Sequence, residues 1–356
     1  KKRKWIPIAI LIGIIFIIGI LISTIFAFAN INKNTIVSGV KIEGIDVSGL
    51  SAEEAKGKLE TIYTEKLETE IPVQYNEYET TINANLFETK YNIEDAVKGS
   101  DIILHVTPSK FTRETIKKYK QYVEDQPVII CSKGFEKDTL YTLSEVASEE
   151  MPNVKIGVFT GPSHAEEVSL EIPTAIVIAS KNMDILYNIQ DTFMNENMRI
   201  YTTSDVIGAE LGGALKNIIA FCAGITSELN LGDNTTAALI TRGLTEISRL
   251  GVAMGGNHNT FYGLSGLGDL IVTCLSEHSR NRQAGKCIGR GLSVEETQKE
   301  VGMTIESIDN IEVAYELSKK YNIEMPIVST VYNVLYNGLK PSEAVRMLMT
   351  REKKCE

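Results

Sequence analysis

The stretch Val206–Gly224 constrains this chain more than any other, because it is built almost wholly of apolar or very small residues with Lys216 in its middle. Read as a helix, positions three and four residues from Lys216 share its face, and these are Gly212, Gly213, Ile219 and Ala220. The ammonium projects from a face stripped of bulk, which lets another backbone or a flat ligand come close. Two readings of the lysine stay open at this point. Either it snorkels from the edge of a packed helix to water, or it is desolvated, with a pKa lowered enough to exchange protons near neutral pH.

A length of 356 residues allows two or three domains with a real core. The net charge is −10 and no long basic run occurs past the N-terminus, which argues against a nucleic-acid partner. The cysteines Cys131, Cys222, Cys274, Cys287 and Cys355 are odd in number and form no C-x-x-C pair. They predict reduced, buried thiols, and the unpaired histidines likewise predict no metal centre. The N-terminus is of another kind. Ile6–Ala29 is almost continuously apolar, longer than the roughly 20 residues that cross a bilayer and than the apolar core of a signal peptide. This predicts a retained single-pass membrane helix over 5–29. Lys1-Lys2-Arg3-Lys4 would be its cytoplasmic flank, so that the chain beyond the helix lies outside. The first residue is Lys1, so the chain need not be a complete reading frame.

Residues 30–94 read as a small α+β module. Gly39–Leu50 begins with the alternation of a half-buried strand, and Ser51 with Glu54 makes a capping box opening a helix through about Thr64. Ile71–Tyr78 and Glu79–Leu86 alternate like a hairpin. The Gly39–Leu50 segment, Ser51-Ala52-Glu53-Glu54-Ala55 and Lys90-Tyr91-Asn92-Ile93 resemble a small extracytoplasmic domain thought to bind peptidoglycan. That domain comes after the membrane helix of vancomycin-resistance W-type proteins and some L,D-transpeptidases. The resemblance implies peptidoglycan as a partner and brings no catalytic residue.

From about residue 95 short apolar strands alternate with helices. The strands are 101–106, 127–131, 155–160, 175–179 and 198–202, which predicts a mostly parallel sheet over 95–204 with helices on both faces. Ligands should bind at the loops after the strand C-termini. From Asp205 no strand pattern remains. Helices are expected over 205–229, 234–256, 260–275, 279–290, 293–302, 307–321, 327–337 and 341–349, giving an all-α domain over 205–356.

The loops carry a coherent set of groups. Ser132-Lys133-Gly134 ends one strand. Gly161-Pro162-Ser163-His164-Ala165 ends the next, with free N–H groups at a helix start that would suit an anion. Gly266-Leu267-Gly268-Asp269 sets a carboxylate beside glycines, either as an Asx-turn or beside a ligand. Ser279-Arg280-Asn281-Arg282 opens a helix, either as a solvated start or as a phosphate site. His164 reads as a hydrogen-bonded loop residue, and His105, His258 and His278 as structural.

Together with Leu211–Asn217, Ala238–Gly243 and Glu324-Met325-Pro326, these segments resemble bacterial NAD(P)-dependent glycerol-3-phosphate dehydrogenases, in order and spacing, from about Ile93 to Met349. The resemblance implies a Rossmann sheet succeeded by a 6-phosphogluconate-dehydrogenase-like helical domain. It also implies NAD or NADP as cofactor, a small phosphate substrate and a role in phospholipid synthesis, and leaves a homodimer open. The implied reaction is hydride exchange at C2 of sn-glycerol 3-phosphate or dihydroxyacetone phosphate. Lys216 would pass the proton to and from the C2 oxygen. Lys133, Gly161, Ser163, Asp269, Ser279, Arg280 and Asn281 would line the substrate site, while Lys133, Ala165, Arg280 and Glu306 would meet the cofactor. No G-x-G-x-x-G occurs, so the Rossmann domain reads as partial, lacking its pyrophosphate turn. The expectation is a chimera joined near Tyr91–Gly99, with little dehydrogenase activity. As written it would be a single-pass membrane protein, whereas its parent enzyme half is cytoplasmic. The competing reading is a membrane-anchored cell-wall binding protein with an inactive C-terminal half.

Overall fold

The structure, a computed structural model, describes residues 93–353 and short stretches between Lys41 and Asn83, in two compact units, Lys1–Tyr91 and Asn92–Glu356. The expected membrane helix and its basic flank lie outside the described residues. In the first unit β1 (Lys41–Ile42) pairs antiparallel with β2 (Ile45–Asp46). β3 (Glu70–Tyr75) pairs antiparallel with β4 (Tyr78–Asn83), with Tyr75 opposite Tyr78, so Tyr78 opens the second strand instead of closing the first. The capping box forms: Ser51 Oγ accepts from the Glu54 N–H at 3.2 Å and Glu54 Oε2 accepts from the Ser51 N–H at 2.8 Å.

The second unit opens with α1 (Ile93–Lys98) and a five-stranded sheet. In chain order its elements are β5 (Ile103–His105), α2 (Thr112–Tyr119), β6 (Val128–Ile130), α3 (Leu143–Glu150) and β7 (Ile156–Thr160). Then come α4 (Ala165–Val168), β8 (Thr174–Ala179), α5 (Met183–Phe193) and β9 (Met198–Thr203). The strands lie in sequence order, and the β5–β6, β6–β7 and β8–β9 pairs are parallel. β8 runs antiparallel to β7. The physical reason is the short connection, whose single turn of helix α4 does not carry the chain back across the sheet as a parallel crossover must. Apolar side chains on the two faces form separate clusters, one around Ile116, Val128, Ile130 and Leu143, the other around Ile129, Ile178, Ile189 and Ile200.

Among the described residues β5 is one edge of this sheet and β9 the other, with Leu104 43% and Val106 69% exposed at β5. In a complete Rossmann order the fourth strand pairs with the first. If β5 is that fourth strand, as the family resemblance implies, its open apolar edge is where the first strand of that order would sit.

The helical part comprises α6 (Val206–Glu228), α7 (Gly232–Ala253), α8 (Asp269–Leu275), α9 (Arg280–Gly289) and α10 (Val294–Val301). It ends with α11 (Glu306–Lys320), α12 (Pro326–Tyr336) and α13 (Pro341–Met349). Helix α6 is long and apolar enough to cross a membrane by length and composition, but 94% of that window is buried within this unit. Its small residues serve backbone contact. A Cβ on Gly224 would overlap the Arg282 carbonyl, and one on Gly285 would overlap that of Phe221, so α6 and α9 cross with their main chains touching. Nearer the start of α6, a Cβ on Gly212 would overlap the Ser265 carbonyl of the π-helical turn Leu264–Gly268.

Candidate active site

The sheet and the helices converge on Asp269. This residue is the first of α8 and is 1% exposed. Its Oδ1 accepts from Lys216 Nζ at 2.5 Å and its Oδ2 from Lys133 Nζ at 2.7 Å. Burial works to raise the Asp269 carboxyl, but the two ammonium groups outweigh it and hold the group below its ordinary value. Lys133 comes from the loop after β6 and also donates to the Gly161 carbonyl at 3.2 Å. Lys216, 6% exposed, comes from the middle of α6 and donates to Thr273 Oγ1 at 2.6 Å as well. Burial pushes its pKa down to about 8, with the Asp269 charge opposing and the Lys133 charge adding to the fall. The snorkelling alternative is thereby removed: the ammonium is desolvated and poised near neutral pH.

Two glycines shape the loops here. Gly134 has φ +146°, where a Cβ would come within 2.8 Å of Ser109 Cβ. Gly161 has φ +117°, where a Cβ would stand 3.2 Å from the Ile176 Cα. Both conformations disfavour any other residue. Ser163 Oγ donates to the Gly161 carbonyl at 3.3 Å. Lys133, Gly161, Ser163, Asp269 and Lys216 thus form one connected group.

A second group lies one residue along α6. Asn217 donates to Glu306 Oε2 at 3.0 Å. Burial raises the Glu306 carboxyl, against the lowering pull of Lys133, Arg280 and Lys216. Asn281 Oδ1 accepts from the Ser307 N–H at 3.0 Å, and Ser279 Oγ caps α9 by accepting from the Arg282 N–H at 3.3 Å. Arg280 and Ala165 are exposed at the first positions of α9 and α4. Arg282 is turned to Glu277 and Ser227, so of the two guanidinium groups expected at this helix start it is engaged elsewhere.

Several expectations change. The helix expected from Ser163 starts at Ala165 and lasts one turn, too short to gather a strong anion-binding N-terminus. His164 lacks the partner expected of it, for its Nε2 is buried without one. Thr273 is a partner of Lys216 that the motifs do not single out. The available signal is its position four residues after Asp269, on the same helix face. Asn217 stands inside a recognised motif, and the motif assigns it no role. The four described cysteines are free thiols, and no cluster able to hold a metal occurs among the described residues. Elsewhere, a cavity of about 220 Å³ is lined by Arg242, Glu246, Arg249, Ile327, Leu348 and Arg351 among others.

The residues fit one end of a dinucleotide cofactor. Thr160 Oγ1 and Ser307 Oγ are buried polar atoms without protein partners, the first beside Lys133 at Gly213 and the second next to Glu306 in the chain. Hydroxyl or amide groups of a ligand would satisfy them. The pyrophosphate end needs a glycine turn that the 356 residues do not contain.

A mixed sheet whose strand ends meet a buried lysine–carboxylate group on a helical domain defines an oxidoreductase of the two-domain dehydrogenase class. Residues 63–186 match the N-terminal and residues 205–346 the C-terminal part of NAD-dependent glycerol-3-phosphate dehydrogenase. The chain is 50% identical over 268 residues to a glycerol-3-phosphate dehydrogenase [NAD(P)+] of Fusobacterium nucleatum, spanning 74% of this chain and 80% of that one. It is 48% identical over 277 residues to one of Clostridium perfringens, spanning 78% and 83%. The crystal structure of glycerol-3-phosphate dehydrogenase from Coxiella burnetii superposes with a TM-score of 0.71 at 38% identity, covering 73% of this chain and 80% of that one. The chain belongs to the NAD(P)-dependent glycerol-3-phosphate dehydrogenase family. The N-terminal match begins at residue 63, some thirty residues before the start expected from the motifs.

Proposed function

We propose that the Asn92–Glu356 unit binds sn-glycerol 3-phosphate and dihydroxyacetone phosphate and that Lys216 exchanges the proton of their C2 oxygen. The observation that carries this is the bonding of Lys216 to Asp269 at 2.5 Å and Thr273 at 2.6 Å in a buried site. When bound, a nicotinamide supplies hydride exchange at C2. The ammonium of Lys216 gives its proton to the developing alkoxide in ketone reduction, and the amine takes it back in alcohol oxidation. Asp269 fixes the amine and binds Lys133 through its other oxygen. Lys133, Gly161, Ser163, Ser279, Arg280 and Asn281 line the substrate, the cationic side chains facing its phosphate. Lys133, Ala165, Arg280 and Glu306 meet the cofactor.

The test pairs two measurements on the full chain. Calorimetry should show sn-glycerol 3-phosphate binding, and Lys216→Met should abolish whatever NADH oxidation dihydroxyacetone phosphate supports. Absence of binding overturns the substrate reading, and unchanged turnover in Lys216→Met overturns the assignment of the acid.

We further propose that the chain is a chimera with its junction near Tyr91–Gly99 and with turnover well below that of ordinary enzymes. The division between compact units at Tyr91 and Asn92 and the open β5 edge support this. A membrane helix over 5–29 oriented N-terminus inward, with a peptidoglycan-binding module after it, is part of the same reading. It sets the enzyme half outside, away from its expected cytoplasmic cofactor. The join is either a true gene fusion or an assembly error, and long-read sequencing of codons 60–110 separates them: an unbroken gene carrying both halves in independent cells rules out the error. Turnover on the order of 10 per second or more would refute low activity.

A further inference from the structure

We infer that His164 is a substrate-positioning residue that reads the terminal hydroxyl of the three-carbon phosphate. This rests on the substrate reading above and adds a specificity determinant to it. The backbone of His164 is fixed, since its carbonyl accepts from the Glu167 and Val168 N–H groups at 3.1 and 3.0 Å. Its side chain is not satisfied in the same way. Nε2 is buried with no partner in the protein, beside a site whose lysines and carboxylates are bonded. Native folds rarely leave such an atom unpaired, and those that do tend to keep it for a ligand or an ordered water.

The ring also lies near the reacting centre. Burial lowers its pKa first, the Lys216 charge lowers it further, and Asp269 acts on it in the opposite sense. The imidazole is therefore neutral at physiological pH. A neutral imidazole is a poor phosphate ligand and a good partner for a hydroxyl, as donor or as acceptor. The substrate has three oxygen-bearing positions. Lys216 takes the oxygen at C2 and the Arg280–Asn281 helix start takes the phosphate, which leaves the terminal hydroxyl. Thr160 Oγ1, a second buried atom without a partner, ends the strand that leads into the same loop and faces Gly213 one turn before Asn217.

The test uses the full chain with ¹⁵N-labelled histidine and two ligands. One is sn-glycerol 3-phosphate; the other is propane-1,2-diol 1-phosphate, identical but for a methyl in place of the terminal hydroxymethyl. The His164 Nε2 resonance, assigned by its loss in His164→Phe, should move with the first ligand and stay with the second. Calorimetry should give about tenfold tighter binding of the first, the worth of one hydrogen bond. His164→Phe should bind the two within about twofold, and His164→Gln, which returns a polar atom near the Nε2 position, should restore part of the preference. Equal Nε2 movement with both ligands, or a tenfold preference surviving in His164→Phe, overturns the inference alone. No binding of either ligand to the wild-type chain overturns the substrate reading and this inference with it.

Discussion

Replacing Asp269 by Asn removes one charge from between two, and the distances set the consequence. Asp269 holds Lys216 at 2.5 Å and Lys133 at 2.7 Å, and it is 1% exposed. An opposite charge this close favours the protonated amine by about one to three pH units. Lys216 titrates at about 8 with the carboxylate present, so without it the amine should titrate about one to three pH units lower and be at least half neutral at pH 7. Breaking a buried pair costs about 3–5 kcal/mol when the remaining charge cannot escape. Here Lys216 escapes by losing its proton, which at pH 7 costs only about 1.4 kcal/mol per pH unit. Lys133 is 19% exposed at its side chain and is partly reached by water. The net destabilisation should therefore be about 2–3 kcal/mol, below the full penalty. Side-chain ¹⁵N spectra of the lysines, assigned with Lys216→Met, give the titration, and urea unfolding at pH 7 gives the stability. A Lys216 titration in Asp269→Asn at or above that of the wild type would refute the claim that this carboxylate holds the proton on the amine.

Turnover should depend on pH in opposite senses in the two directions, reduction falling and oxidation rising as pH passes about 8, because reduction needs the ammonium and oxidation the amine. Initial rates flat between about pH 6.5 and 9.5 in both directions would remove Lys216 from proton transfer. Gly285→Ala should lower stability by about 1–3 kcal/mol or more, since its Cβ meets the Phe221 carbonyl and forces α6 and α9 apart; an unchanged melting temperature contradicts the main-chain contact. Glu246 is 4% exposed, accepts from the Ile327 and Val328 N–H groups at 2.7 and 3.2 Å, and has its pKa raised by burial to about 7. The native state then holds a proton that the unfolded state has lost, so this residue's contribution to stability falls as pH rises from 4.5 through 7, by about 3 kcal/mol in total. The stability difference between wild type and Glu246→Gln, measured by urea unfolding from about pH 4.5 to 8, should narrow or reverse across that range; a constant difference would show that the carboxyl titrates normally.

Much of the fold is legible in the order of the chain. The apolar runs ending at Thr107, Cys131 and Thr160 are bounded by Pro, Gly or Ser, and each becomes a strand within two residues of its expected place. Helix α3 starts at Leu143 because Thr142 and Glu145 make both halves of a capping box, a signal that local sequence carries. The direction of β8 was not legible, since alternation along a strand is the same read either way. Nor was the double ion pair at Asp269, whose partners lie 53 and 136 residues away in sequence. Local pattern shows that a carboxylate sits at a helix start; only packing shows which cations reach it.

The same distinction between local pattern and packing decides what the missing glycine turn removes. Every group in the lysine–carboxylate site comes from β6 or later: Lys133 after β6, Gly161 and Ser163 after β7, Lys216 on α6, Asp269 and Thr273 on α8. Lys216, Asp269 and Thr273 are set by packing within the helical part, including the α6–α9 crossing and the contact of Gly212 with the Ser265 carbonyl, whereas Lys133 follows β6, which pairs with β5. On the chimera reading no strand covers Leu104 and Val106 beside β5 and no pyrophosphate cradle is present, while the contacts of Lys216 with Asp269 and Thr273 lie wholly within the helical part. If that holds, Lys216 should keep its depressed titration near pH 8 whether or not the chain turns over substrate. An ordinary lysine titration near 10.5, in a folded chain, would mean that the site needs the missing strand to form at all.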